Sequence, residues 1–300
     1  MNDAARGLVQ RSSAPAWFAG AVVATAVGIT LSATTTQLPG AEPLTVEDAV
    51  DAAAMVALGG LGVVLVRRGI AAGLGRALVV MAALTGSIWL CGGLADILAN
   101  GTSPPLVAQL LSLASAVLFV PNFVLLFLAP LLLFPTGRLP SPRWRWLVVA
   151  AVSGTVASMV SLLFAPGALD DDVPAWGRNP LGVEALDGLT SALEVVGLVL
   201  VIGSVPASLA AVVVRLVRYH GARRVQMWWF VAGFAPMVVG LFTDLGGAPV
   251  AEVISALVIF GGLLGGMAWA LLGAPGHHVA RQARQKSEHA QTQTGTRAHT

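Results

Sequence analysis

A chain of 300 residues that is 56% hydrophobic and only 11% charged has more apolar surface than a soluble domain can bury, so its long apolar runs are expected to cross a membrane. Its single cysteine, Cys91, excludes an intrachain disulfide and a cysteine-based metal cluster. The net charge of +2 does not indicate a nucleic-acid partner, because arginines that anchor a membrane protein at one face account for it.

Eight apolar segments follow one another along the chain. At about 1.5 Å per residue, each is long enough for a helix across the roughly 30 Å hydrocarbon layer. We predict the spans at about 15–37, 48–66, 77–99, 106–134, 146–166, 189–214, 226–245 and 250–273. The expected fold is all-α, a polytopic integral membrane protein with a bundle of eight transmembrane helices. A cytoplasmic stub, 1–14, precedes the bundle of 15–273, and a polar tail, 274–300, follows it and is expected to be disordered.

The first span has a competing interpretation as a cleaved signal peptide, because Arg6 and Arg11 precede an apolar stretch. The stretch is longer than the apolar core of a typical signal peptide, which favours a retained span. Cleavage would leave the orientation of the other seven spans unchanged.

Basic residues occur almost only in alternate connections between the predicted spans. The stub, three of the connections and the tail together hold every basic residue except Arg178, which lies in the long loop 167–188. An excess of Lys and Arg in short loops marks the cytoplasmic side. The near-absence of Lys beside abundant Ala, Gly, Val and Arg is typical of a GC-rich bacterial genome. We therefore predict a bacterial plasma-membrane protein with both termini in the cytoplasm.

Two carboxylates are candidates for an outward-facing polar site. Asp96 and Asp244 lie near the C-terminal ends of predicted spans, where the helix dipole disfavours negative charge. Ionisable groups inside spans are costly and are often functional. The alternative is that both carboxylates simply reach outer water. Asn122, beside Pro121 in the middle of the fourth span, is expected to be structural and to bond across helices or to a carbonyl freed by the proline.

Small residues and arginines supply the other candidate sites. Gly261, Gly262, Gly265 and Gly266 allow close helix approach, either inside the bundle or at a dimer seam. Arginines of two inner loops are candidates for coupling to a partner or for anchoring to lipid headgroups. They are Arg138, Arg143, Arg145, Arg218, Arg223 and Arg224.

Enzyme motifs are absent from the sequence. A phosphate-binding loop needs Gly-Lys followed by Ser or Thr, and the only lysine, Lys286, follows Gln285. The chain has neither a G-x-S-x-G nor an H-E-x-x-H motif. The adjacent His277 and His278 lie in a polar tail that offers no supporting shell for a metal. We expect no enzymatic activity, no cofactor and no metal.

Three connections have distinctive sequences. They are the inner hairpin LLFPTGRLPSPRWRW ending at Trp146, the outer Asn179-Pro180-Leu181-Gly182, and the inner stretch from Arg215 to Trp229. In this order they resemble the membrane domain of actinobacterial sensor histidine kinases, most clearly over 131–240. The resemblance implies a sensor-type membrane module of a two-component signalling system.

The resemblance does not extend to catalysis. In that family the last span leads through a helical linker to a phospho-accepting histidine helix and an ATP-binding domain. Here the last span ends near Gly273 and a short polar tail follows, without a kinase box. The implied module is therefore a sensor without the kinase core.

Together these features predict a kinase-less membrane sensor or regulatory protein. Its expected partners are the lipid bilayer and either a second copy of the chain or a separate signalling protein, with no nucleic acid. The alternatives are a small transporter or permease, which needs a continuous polar path across the membrane, and a structural membrane protein without a ligand.

Overall fold

The computed structural model describes residues 3–34, 44–99, 104–169, 176–242 and 249–273. Side chains are described from residue 13 onward within these ranges, except at 47, 237–242, 249–256 and 259. The predicted tail, 274–300, lies outside the described residues. Eight α-helices occupy the described chain: α1 Asp3–Thr34, α2 Val46–Arg68, α3 Ala72–Leu98, α4 Leu106–Leu133, α5 Arg145–Phe164, α6 Asp187–Arg218, α7 Ala222–Phe242 and α8 Pro249–Ala268.

The all-helical fold is confirmed for the described residues, which form no β-strand. A 3-10 turn, Pro142–Trp144, leads into α5, another, Glu184–Leu186, leads into α6, and a π-helical turn, Trp269–Gly273, continues α8. The first six helices, α1 to α6, are long and apolar enough to cross a membrane, which indicates a membrane-embedded protein. A membrane crossing by α7 and α8 stays a prediction.

Local sequence signals explain where α2 begins and ends. Thr45 and Asp48 form a reciprocal capping box at its start, and Gly69 ends it in the left-handed conformation with φ 67°. Helix α1 begins earlier than the predicted span, at Asp3, and continues through Pro15. Helix therefore covers the predicted stub, 1–14, from residue 3, and its cytoplasmic location stays a prediction.

A small polar cluster joins three helices near the middle of the bundle. Asn122 of α4 is buried, and its Oδ1 accepts a hydrogen bond of 3.3 Å from the Thr85 hydroxyl of α3. Its Nδ2 donates to the sulfur of Met55 on α2 at 3.3 Å. The prediction that this amide bonds across helices is confirmed.

Helix α3 lies at the centre of the first half of the bundle, where it packs on α1, α2 and α4. Helices α5 and α6 form a hairpin that contacts α4. Helices α7 and α8 form a second hairpin, which contacts α2 through α8 and α6 through α7. The large core cluster runs through residues of every helix from α2 to α8.

Small residues set the distance between neighbouring helices. In α1 and α3, a Cβ on Gly86 would lie 2.7 Å from the Ala21 carbonyl oxygen, and one on Gly28 would overlap the Trp89 carbonyl. Between α2 and α3, a Cβ on Gly62 would lie 2.6 Å from the carbonyl oxygen of Gly75. Lipid is as apolar as the side chains it replaces, so association in a membrane depends on close backbone packing of this kind.

The helix ends that carry the arginine-rich connections lie together at one end of the bundle. Gly73 at the start of α3 packs on Gly137 of the connection between α4 and α5. Phe134 at the end of α4 stacks on Phe230 of α7, with ring centroids 4.4 Å apart. Trp229 of α7 in turn packs edge-on against Trp269 after α8. We call this the basic end of the bundle.

Glycine at position 28 is expected to be essential for the contact of α1 with α3. Gly28→Ala should lower stability by about 1–3 kcal/mol, because the added methyl group meets backbone that cannot yield without moving a helix. Gly20→Ala is the matched control, since a Cβ there meets nothing within 4 Å. Thermal unfolding of the detergent-solubilised protein measures the difference. Equal melting temperatures for the two variants would contradict the described packing.

Candidate functional site

The end of α4 lacks a backbone donor that a helix end normally finds. In a continuing helix the carbonyl of Leu131 would accept from the N–H of residue 135, but residue 135 is a proline and has no N–H. The neighbouring carbonyls of Pro130 and Leu133 are satisfied locally, by the N–H groups of Phe134 at 3.0 Å and Gly137 at 2.6 Å. The carbonyls of Leu131 and Leu132 need donors from elsewhere.

Arg215 supplies those donors from the last turn of α6. Its Nη1 donates to the Leu131 carbonyl at 2.9 Å, and its Nη2 donates to the Leu132 carbonyl and, at 3.0 Å, to the Arg138 carbonyl. The residue is 2% exposed, and it is among the largest fully buried side chains. We call this arrangement the Arg215 clamp.

The chemistry of arginine suits this position. The planar guanidinium presents several N–H donors in a fixed fork, so one side chain can meet three carbonyls on two segments. The C-terminal end of a helix carries partial negative charge, which favours a cation there. The clamp uses three of the five N–H donors of the guanidinium, and the buried Nε has no acceptor among the described residues.

The connection held by the clamp is packed on both sides. Phe134 is fully buried against Phe230, and the peptide bond from Phe134 to Pro135 is cis. Gly137 adopts φ 72°, and a side chain there would strike the backbone of Ala71 in the turn between α2 and α3. The hairpin 134–144 therefore touches the α2–α3 turn, α6 and α7, and it leads directly into α5.

Exposed arginines surround this hairpin on the connections of the basic end. Among residues whose side chains the structure describes, none of these arginines forms an ion pair. Arg145 lies over the Trp146 ring at 5.3 Å, and Arg223 lies over the Tyr219 ring at 6.0 Å. The exposed set comprises Arg67, Arg68, Arg76, Arg138, Arg143, Arg145, Arg218, Arg223 and Arg224. Their positive charge is therefore available to an anionic surface or partner.

The predicted loop arginines are all brought to this end, but sequence reasoning did not single out Arg215. In the sequence, Arg215 is one of several basic residues of an inner connection. The available signal was helical spacing: Ser208, Ala211, Val212 and Arg215 are buried on one face of α6, whereas Arg218 is exposed. The need for a donor after the Phe134–Pro135 pair was the second clue.

The predicted polar site is described only in part. Asp96 lies near the end of α3, away from the basic end, and its Oδ2 accepts a hydrogen bond of 2.7 Å from the buried Ser32 hydroxyl of α1. Asp244 lies outside the described residues. The structure therefore joins Asp96 to a neighbouring helix, and a pocket shared with Asp244 stays a prediction.

The glycines of α8 lie on two faces. A Cβ on Gly262 would lie 2.9 Å from the Gly233 carbonyl oxygen of α7, and one on Gly266 would lie 2.8 Å from the Trp229 carbonyl oxygen. A Cβ on Gly261 or Gly265 meets nothing within 4 Å in the described structure. Gly262 and Gly266 therefore allow α8 to pack closely on α7. A dimer seam at Gly261 and Gly265 stays a prediction.

A second side-chain cap closes α5 at the opposite end of the bundle. The Asn179 amide donates to the carbonyls of Leu162, Leu163 and Ala165 at 3.2, 3.3 and 2.9 Å, and its Oδ1 accepts from the Leu181 N–H at 3.0 Å. The Asn-Pro-Leu-Gly segment thus ends a helix. Arg178, next to it, pairs with Glu184, and both side chains are largely exposed, so this pair adds little stability.

The described side chains include no group of three His, Cys, Asp or Glu residues that could hold a metal ion. Comparisons with protein-family models, with curated proteins and with solved structures find no match.

Loss of the Arg215 side chain is expected to loosen the hairpin. Arg215→Met should cost about 1–3 kcal/mol for each buried carbonyl left without a donor. Arg215→Lys should be intermediate, because an ammonium is a compact donor and lacks the fork of a guanidinium. Hydrogen exchange at the Phe134 and Gly137 amides, with thermal unfolding, measures the effect.

The matched control is Arg218→Met, which removes an exposed arginine one turn further along the same helix. It should leave exchange in the hairpin unchanged. Equal protection in the Arg215→Met and Arg218→Met proteins would show that the clamp does not hold the hairpin.

Proposed function

We propose that this protein is a sensor or regulatory protein of the bacterial plasma membrane, without kinase activity. In this proposal α1 to α8 all cross the bilayer, both termini lie in the cytoplasm, and the basic end faces the cytoplasm. A stimulus at the outer surface or within the bilayer shifts the packing of the helices. The hairpin 134–144 and the arginines around it present that shift to a partner.

The proposed orientation is supported by the gathering of exposed arginines at one end of the bundle. Charged side chains are costly within hydrocarbon, and cytoplasmic loops are rich in Lys and Arg. Trp17, Trp146, Trp228 and Trp269 also lie near this end and are 66, 65, 54 and 57% exposed. Amphipathic rings of this kind are typical of the interface between headgroups and hydrocarbon.

The Arg215 clamp is the main structural support for the proposed regulatory role. It joins α6 to the end of α4 and to the hairpin through one guanidinium, so sliding of α6 past α4 has to break or rearrange its hydrogen bonds. Its buried Nε has no acceptor among the described residues, and an unsatisfied buried donor costs about 1–3 kcal/mol. That cost reduces the difference in free energy between the described packing and a second packing in which the Nε–H is also paired. A small difference of this kind is what a two-state switch requires.

The resemblance to sensor histidine kinase membrane domains supports the same role. The inner hairpin that contributes most to the resemblance is the segment that the Arg215 clamp holds. The proposed partner is a separate signalling protein that docks at the basic end, where exposed arginines surround the hairpin. A second copy of the chain, docked through the Gly261 and Gly265 face of α8, is the alternative partner.

A transporter is less well supported by the described residues. At mid-bundle the structure describes the cluster of Asn122, Thr85 and Met55, whose polar groups already bond to one another. A substrate path would need polar groups that are free to exchange partners along the whole membrane thickness.

The orientation can be tested by thiol labelling in intact cells. With Cys91→Ala as the background, Arg178→Cys should react with a membrane-impermeant maleimide, because its position faces the outside. Arg143→Cys, exposed at the basic end, should react only after permeabilisation. The reverse pattern would overturn the proposed orientation.

The regulatory role can be tested by photo-crosslinking in cells. A photoreactive residue at position 143 should capture one specific protein, and the yield should fall several-fold when Arg215→Met is added, because the hairpin is then no longer held. The same probe at position 178, at the opposite end, is the control. No specific product from position 143, or a yield that Arg215→Met leaves unchanged, would count against the proposal.

A further inference from the structure

A groove opens on the side of the bundle at the basic end. It lies between the start of α1, the end of α2 and the first half of α3, and its volume is about 420 Å³. Pockets that hold small molecules typically measure about 300–1,000 Å³. Trp17, Val66, Arg76 and Val80 line it, and no residue of the Arg215 clamp does.

The groove has a polar mouth and an apolar interior. Arg76 lies in the second turn of α3 and is exposed, and Trp17, which also lines the groove, is 66% exposed. Beyond them the walls are mainly aliphatic, with Val79 buried and Val80 51% exposed. A ligand that fits must therefore have a charged or polar head and an apolar tail.

The depth of the groove matches one leaflet of a bilayer. Its lining on α3 runs from Arg76 to Ser87, which at about 1.5 Å per residue is about 16 Å along the helix. The hydrocarbon layer is roughly 30 Å thick, so the groove extends from one surface to near the midplane.

We propose that this groove binds one anionic phospholipid from the leaflet at the basic end. An acyl chain lies along α3 between α1 and α2, and the phosphate accepts hydrogen bonds from the Arg76 guanidinium. The inference rests on the membrane orientation proposed above, but it does not depend on the sensory role.

Charge complementarity selects this occupant. Val66 lines the groove, and α2 ends with the exposed Arg67 and Arg68, so the headgroup level carries positive charge on both the α2 and α3 sides. A guanidinium can bind a phosphate through two parallel hydrogen bonds. The headgroup of a zwitterionic lipid carries a cation, which these arginines repel. The headgroup of an anionic lipid has no such cation.

Native mass spectrometry of the full-length protein, with added phosphatidylglycerol or phosphatidylcholine, tests the proposal. The wild type should retain one phosphatidylglycerol in preference to phosphatidylcholine. Arg76→Gln should weaken phosphatidylglycerol binding about fivefold, the effect expected for one basic residue near a membrane surface. Val80→Trp should weaken binding of both lipids, because it fills the groove from a half-exposed position.

Arg143→Gln is the matched control, since it removes an exposed arginine of the same end that does not line the groove. Thermal unfolding confirms that each variant is folded. The proposal fails if Arg143→Gln weakens binding as much as Arg76→Gln does, if Val80→Trp leaves retention unchanged, or if the wild type shows no preference for the anionic lipid. Thiol labelling is a separate measurement, so a wrong orientation is distinguished from a groove that does not bind lipid.

Discussion

Two carbonyl oxygens at the end of α4 impose the constraint on which the basic end depends. Proline at position 135 removes a donor that a helix end would use, and the surrounding segments exclude water from the site. An unpaired polar group is costly wherever water is absent, in a protein core as in a bilayer. The Arg215 guanidinium meets both oxygens and a third carbonyl, and the position of the hairpin relative to α6 follows from those bonds.

The rest of the bundle is held by a different kind of contact. Small residues on facing helices allow backbones to approach closely, as at Gly28 with Gly93 and at Gly233 with Gly262. Such contacts are tight but non-directional, so they permit small rotations and slides. The bonds of the Arg215 clamp are directional and do not. When α6 slides past α4, the glycine contacts can adjust, whereas the bonds of the clamp have to break or rearrange. A change of helix packing therefore has its largest effect at the clamp.

The helical fold and most helix positions could be predicted from the sequence, because apolar segments longer than about 20 residues have few alternatives. The cross-helix bonding of Asn122 could also be predicted, since a mid-span amide needs a partner. Arg215 could not be separated from Arg218 by composition, because both end the same helix. Helical spacing places Arg215 on the buried face of α6, but the carbonyls of α4 that it meets are known only from the structure. The groove beside Arg76 could not be predicted either. It exists because α1, α2 and α3 diverge there, and no short sequence pattern indicates that divergence.

The missing N–H of Pro135 has a consequence for how this chain can change over time. A residue other than proline at that position would supply an N–H for the Leu131 carbonyl, whereas the Leu132 and Arg138 carbonyls would still depend on Arg215. Although far apart in the chain, the two positions are therefore expected to covary: a related sequence without proline at position 135 should tolerate loss of Arg215 better than this chain does, because one fewer carbonyl is left without a donor.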